Sequence, residues 1–261
     1  MLRSLYTAAT GMEAQELKMD TISNNLANAS TTGFKRTRAE FEDLLSETVR
    51  APSEADPRGG TAPSPLEVGL GVRTVATTRS FTQGDMINTQ NQLDVAIEGN
   101  GFFVVQRANG EPAYTRAGNF RVDATGRLCT PNGDLVDPEI VVPPESVNLT
   151  IRPDGAVEAR VPGRDEPVPL GTIELVQFAN PGGLQAMGNN LLAASPSSGE
   201  AVRLRPGEQG MGSLAQGYLE TSNVKAVEEM IDMISTQRAY EMNSKVIQTA
   251  DQMLQRLTSL R

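Results

Sequence analysis

The chain has 261 residues, enough for roughly one to three domains with a real core. Its formal net charge of −9 opposes binding to phosphate backbones, so no nucleic-acid partner is expected. It has no histidine, which removes the usual general base and the commonest metal ligand, and no Trp in an aromatic fraction of only 4%, which argues against a ring-lined ligand pocket. Neither catalytic residues nor a metal or cofactor is therefore expected.

The first residues lack a continuous apolar core and carry Glu13, Glu16 and Asp20, so no cleaved signal peptide is expected. The apolar runs fall far short of the ~20 residues of a spanning helix, so the chain is not expected to be membrane-embedded. Residues 2 to 27 read as a helix. Leu2, Leu5, Ala9, Met12, Met19, Ile22 and Leu26 recur at three, four or seven and share one face. Asn24, Asn25 and Asn28 favour turns and caps, and Thr32-Gly33 stops the helix.

From Phe34 to Leu45 the chain reads as a short helix or an extended segment, with Phe41, Leu44 and Leu45 inward. The following stretch, VRAPSEADPRGGTAPSPLEVGLG, is rich in Pro, Gly and acidic residues and reads as a long excursion. From Val72 to Phe178 the period changes to two. Turn pairs fall at Asn100-Gly101, Asn109-Gly110, Thr125-Gly126, Asn132-Gly133 and Asp154-Gly155, which predicts an antiparallel β-domain. Residues 180 to 217 read as mostly irregular. The lone Cys129 reads as a small buried side chain.

Beyond Asn223, a plausible N-cap, no Gly or Pro occurs, and Glu228 and Glu229 suit the positive end of a helix dipole. Val224, Val227, Ile231, Ile234, Met242, Val246, Ala250, Met253, Leu257 and Leu260 form one stripe, with Arg238 its strongly polar member. An exposed stripe of that size forgoes on the order of 15–25 kcal/mol of burial. The two terminal helices are expected to pair, parallel or antiparallel, and identical neighbours to cover what remains; open-ended packing gives a helical filament. The competing reading is a monomer with one long helix lying across the β-domain. The expected fold class is α+β: long terminal helices packed as a coiled-coil-like pair around an inserted, mainly antiparallel β-domain.

Isolated chemistry is weak. Glu111, Asp123 and Asp134 sit beside turns, where carboxylates are usually solvated or cap the turn. Lys35, Arg36 and Arg38 are expected to pair with Glu40, Glu42 or Asp43.

Three blocks in order, ANASTTGFKRTRAEFEDLL, LDVAIEGNGFFVV with YTRAGNFRVDATGRL, and QGYLETSNVKAVEEMIDMISTQRAYEMNSKVIQTADQMLQRL, resemble the flagellar rod, hook and hook-associated proteins. The first block carries the family motif on Asn25, Asn28, Thr32, Gly33, Phe34 and Lys35. Length, FKRTRAEFEDLL, GVRTVAT and the 50–65 excursion look most like distal rod members; a proximal rod or hook subunit is the alternative.

The resemblance implies an inner-tube helix over 1–30, a connecting domain over 31–75, a β-rich outer domain over 76–205, a return segment over 206–222 and a second inner-tube helix over 223–261. It implies a helical homopolymer in the periplasm-spanning basal body, exported without a cleaved signal by the flagellar type III apparatus. Its implied partners are proximal rod subunits, hook subunits, the rod cap, and the periplasmic and outer-membrane ring proteins. The implied self-contacts lie on Leu2, Leu5, Met12, Met19, Ile22, Leu26, Val227, Ile231, Ile234, Arg238, Met242, Val246, Met253, Leu257 and Leu260.

Overall fold

In a computed structural model, which describes residues 2–50, 64–163 and 166–259, the chain forms two compact units. A helical unit holds Met1–Leu26, Thr37–Thr78 and Lys225–Arg261; a β unit holds Ala27–Arg36 and Arg79–Val224. Most of the 50–65 excursion lies outside the described residues.

In the helical unit, α1 spans Leu2–Ala27 and α2 spans Ala226–Ser259. The 34 residues of α2 make a rod of about 50 Å. The helix starts three residues after Asn223, so the expected N-cap does not cap; its amide is engaged in the β unit, as described below. Between the helices lie β1 (Thr37–Asp43), β2 (Glu47–Arg50), β3 (Leu66–Val68) and β4 (Val72–Arg79). The Phe34–Leu45 stretch is thus extended rather than helical: β1 pairs with β4, and β2 pairs antiparallel with β3. Arg73 contacts Glu42, and Thr78 donates its hydroxyl to Glu40 at 2.7 Å.

The β unit runs through β5 (Met86–Asn88), β6 (Val95–Glu98), β7 (Phe102–Gln106), β8 (Pro112–Thr115), β9 (Arg121–Val122), β10 (Leu128–Cys129), β11 (Leu135–Val136), β12 (Asn148–Ile151), β13 (Ala156–Arg160), β14 (Val168–Thr172), β15 (Leu175–Gln177), β16 (Gln185–Gly188), β17 (Leu191–Ala193), β18 (Val202–Leu204), β19 (Ser213–Gln216) and β20 (Tyr218–Glu220). Every recorded strand pairing is antiparallel. The largest sheet runs β16-β17-β8-β7-β11-β10-β9, with β15 bridging β7 and β18. Four of the five expected tight turns fall where the sequence places them; Asn100-Gly101 instead joins β6 and β7, which belong to different sheets. The amides of Gly110, Gly126, Gly133 and Gly155 donate to the carbonyls of Arg107, Asp123, Thr130 and Arg152 at 2.8 to 3.1 Å.

Phe102, Phe103, Val104 and Val105 of β7 are all buried, which is why this strand reads as an unbroken apolar run. Phe103 meets Phe120 edge-to-face at 5.0 Å on one side, and Phe102 meets Phe178 at 5.9 Å on the other. Residues 180 to 217 are more ordered than their composition suggests, since they contain β16 to β19.

Candidate functional site

The apolar stripe of α2 stays open in the single chain. Val227 is 71% exposed, Ile231 62%, Ile234 49% and Met242 61%. Val246, Met253 and Arg238 are exposed too. The side chains of Leu2 and Leu257, and all of Leu260, lie outside the described residues. On α1, Ile22 is buried and Leu5, Met12, Met19 and Leu26 are half-buried.

The expectation that the α2 stripe is covered by the other terminal helix is corrected. What α2 turns inward within the helical unit is mainly a different, polar series seven residues apart, Glu229, Thr236 and the half-buried Asn243, joined by a single member of the stripe, Ala250. On α1, Ala8, Ala14 and Asn25 are buried. Asn25 Nδ2 donates to Glu229 Oε2 at 3.1 Å, and a Cβ placed on Gly11 would lie 2.9 Å from Asn243 Nδ2. Fourteen residues down one helix match fourteen up the other, so the pair is antiparallel. Small side chains allow the meeting, and the bulky aliphatics are displaced to the far face of α2.

Asn25 also ends α1. Its amide spans the backbone of Thr37, donating to the carbonyl at 2.8 Å and accepting from the N–H at 2.9 Å.

Within the β unit the remaining motif residues close a polar cluster. Thr31 donates its hydroxyl to Asn28 Oδ1 at 3.1 Å, Thr32 accepts from Asn190 Nδ2 at 3.2 Å, Phe34 N–H donates to the Thr31 carbonyl at 3.3 Å, and Gly33 N–H donates to the Glu220 carbonyl at 2.8 Å. Lys35 does not pair with Glu40, Glu42 or Asp43. Its Nζ lies 2.5 Å from Glu220 Oε1 and donates to the Thr82 carbonyl at 2.7 Å. Arg116 Nε lies 3.1 Å from Glu220 Oε2, and its other nitrogens donate to the carbonyls of Gly101 (2.7 Å) and Gly99 (2.8 Å).

All three charged side chains of this cluster are buried. Burial pushes the Lys35 ammonium and the Arg116 guanidinium below their ordinary pKa, and the facing Glu220 carboxylate pulls both back. Asn223 accepts from Arg36 N–H at 2.7 Å and donates to the carbonyls of Ser80 (3.0 Å) and Thr82 (3.1 Å). The sequence marked Lys35 and Asn223 but not Glu220 or Arg116. No spacing rule links two charges 104 positions apart.

Among the described residues no cluster of three His, Cys, Asp or Glu side chains could hold a metal, and no helix is long and apolar enough to cross a membrane.

Comparison with known proteins agrees with this geometry. Residues 5–35 match the flagella basal body rod protein model, residues 96–159 the flagellar hook protein FlgE/F/G D1 domain, and residues 215–260 the C-terminal model of the flagellar basal body rod FlgEFG proteins. The chain is 47% identical over 260 residues to the flagellar basal-body rod protein FlgG of Buchnera aphidicola subsp. Schizaphis graminum, covering 100% of both chains. The chain belongs to the flagellar basal-body rod protein family. The FlgG of Caulobacter vibrioides is 47% identical over 261 residues and that of Bacillus subtilis 39% over 267, again with 100% of both chains covered. The flagellar hook protein FlgE of Helicobacter mustelae is 42% identical over only 137 residues, which are 52% of this chain and 30% of that one. As a family member the chain is a structural rod subunit of the flagellar basal body.

Proposed function

We propose that the chain polymerises helically with copies of itself into the distal rod of the basal body, transmits torque and encloses an export channel, with no catalytic role. The observation that carries this reading is the open apolar face of α2 on Val227, Ile231, Ile234, Met242, Val246 and Met253. Covering such a face offers on the order of 10 kcal/mol per subunit. A face of one copy that meets a different face of the next generates an open helical assembly. In this reading the rod meets proximal rod subunits at one end and hook subunits at the other. A cap covers it during growth, the periplasmic and outer-membrane rings surround it, and the type III apparatus exports its subunits without a cleaved signal. The terminal helices line the inner tube. Images of basal bodies purified from a strain lacking this chain test the proposal. Loss of the outer shaft segment alone is expected; an intact shaft contradicts it.

A further inference from the structure

The chain passes between its two units at four places: 26/27, 36/37, 78/79 and 224/225. Three of the four end in one buried polar cluster of the β unit. The segment that leaves at residue 36 contributes Lys35 and the Arg36 backbone. The segment that enters at 79 contributes the carbonyls of Ser80 and Thr82 and the amide of Gly84, which donates to Glu220 Oε1 at 3.0 Å. The segment that leaves at 224 contributes Glu220 and Asn223. Backbone bonds reinforce the knot: Ser80 N–H donates to the Arg36 carbonyl at 2.9 Å and Thr221 N–H to the Asp85 carbonyl at 2.8 Å. Arg116, with its ends on the Gly99 and Gly101 carbonyls, anchors Glu220 to the core sheet.

We infer that Lys35, Arg116, Glu220 and Asn223 form a clasp that makes these three crossings one cooperative joint, so that a pull on α2 reaches the β unit as a whole instead of peeling one strand. An apolar core of equal volume would serve stability as well. Directional bonds to three separate chain segments are what an apolar core lacks. The mechanical part of the inference rests on the rod reading; the cooperative joint does not.

Amide exchange on the full-length protein tests the joint. The amides of Gly33, Arg36, Ser80, Gly84 and Thr221 should share one opening rate, and Lys35→Met should speed all five at least tenfold while those of β7 and β8 stay unchanged. Acceleration at Gly33 and Arg36 alone overturns the clasp. Should Lys35→Met fail to fold, Asn223→Ala removes only half-buried hydrogen bonds and must accelerate the same five amides; a confined effect again overturns it. Cells carrying the mildest variant that shows the coupled effect should build basal bodies in normal number yet slow at least twofold more than wild type in viscous medium. Equal slowing overturns the mechanical role, whereas absence of the protein from purified basal bodies contradicts the rod reading instead.

Discussion

Asn25 and Glu229 lie 204 positions apart and meet at 3.1 Å, both buried. This contact fixes the start of α2 against the end of α1, and the same Asn25 amide holds the first residue of β1. Replacing Asn25 with Leu removes one bond to Glu229 and both bonds to the Thr37 backbone, and each Thr37 group left unsatisfied costs about 1–3 kcal/mol. Thermal melting of the full-length protein by circular dichroism should show a loss of helical signal at lower temperature. An unchanged helical transition contradicts the assignment.

The outer face of α2 predicts a separation of folding from assembly. Ile234→Asp places a charge on a half-exposed position, so the spectrum of the isolated protein should stay near wild type while rods fail to form. Ile234→Pro should block assembly as well, by breaking the helix at about 3 kcal/mol or more. Swimming motility and electron microscopy of basal bodies read both. Normal motility in either strain contradicts the role of this face.

Among the described glycines, Gly118 leaves the least room for a side chain. A Cβ there would sit 1.7 Å from the Val95 carbonyl oxygen, and the Val95 N–H donates to the Gly118 carbonyl at 3.0 Å. Backbone cannot yield as a side chain can, so Gly118→Ala should cost about 3 kcal/mol or more in chemical denaturation. A loss under about 1 kcal/mol would show that the two backbones separate easily.

The turn at Asp123 predicts a local acid transition. Its carboxylate accepts from the Thr125 hydroxyl at 2.7 Å and from the amides of Thr125 and Arg127 at 2.8 and 2.9 Å, and these bonds hold its pKa well below the usual carboxylate range. The folded pKa is lower than the unfolded value of about 3.9. The contribution is therefore complete above about pH 4 and is lost as pH falls towards the folded pKa. Amide shifts of Thr125 and Arg127 should stay constant from neutral pH to about 4 and move only below it; Asp123→Asn should abolish that movement.

Much of the architecture was legible in the sequence because its signals are local. The three-and-four spacing gave both helices, and glycine after Asn, Asp or Thr gave hairpins such as that of β7 and β8 around Asn109-Gly110. Three things were not. Strands as short as β17 and β18, set among Gly and Ser, have too few residues for a period of two to emerge. Most of the inward face of α2 was not legible because hydrophobicity points to Ile231 and Ile234, whereas the helix pair selects for small size and hydrogen bonding at Thr236 and Asn243; only Ala250 belonged to the stripe. For the same reason Glu220 escaped notice: a lone carboxylate in a strand shows nothing of the two cations that reach it from residues 35 and 116.

Methionine oxidation tests the account most directly. Met230, Met242 and Met253 are 53%, 61% and 46% exposed along α2 in the single chain. In the isolated protein all three should oxidise readily to the sulfoxide, whereas in assembled rods Met242 and Met253, which lie on the apolar stripe, should be protected at least tenfold. Equal oxidation of both in rods and in the free protein would contradict the claim that copies of this chain cover one another along that helix.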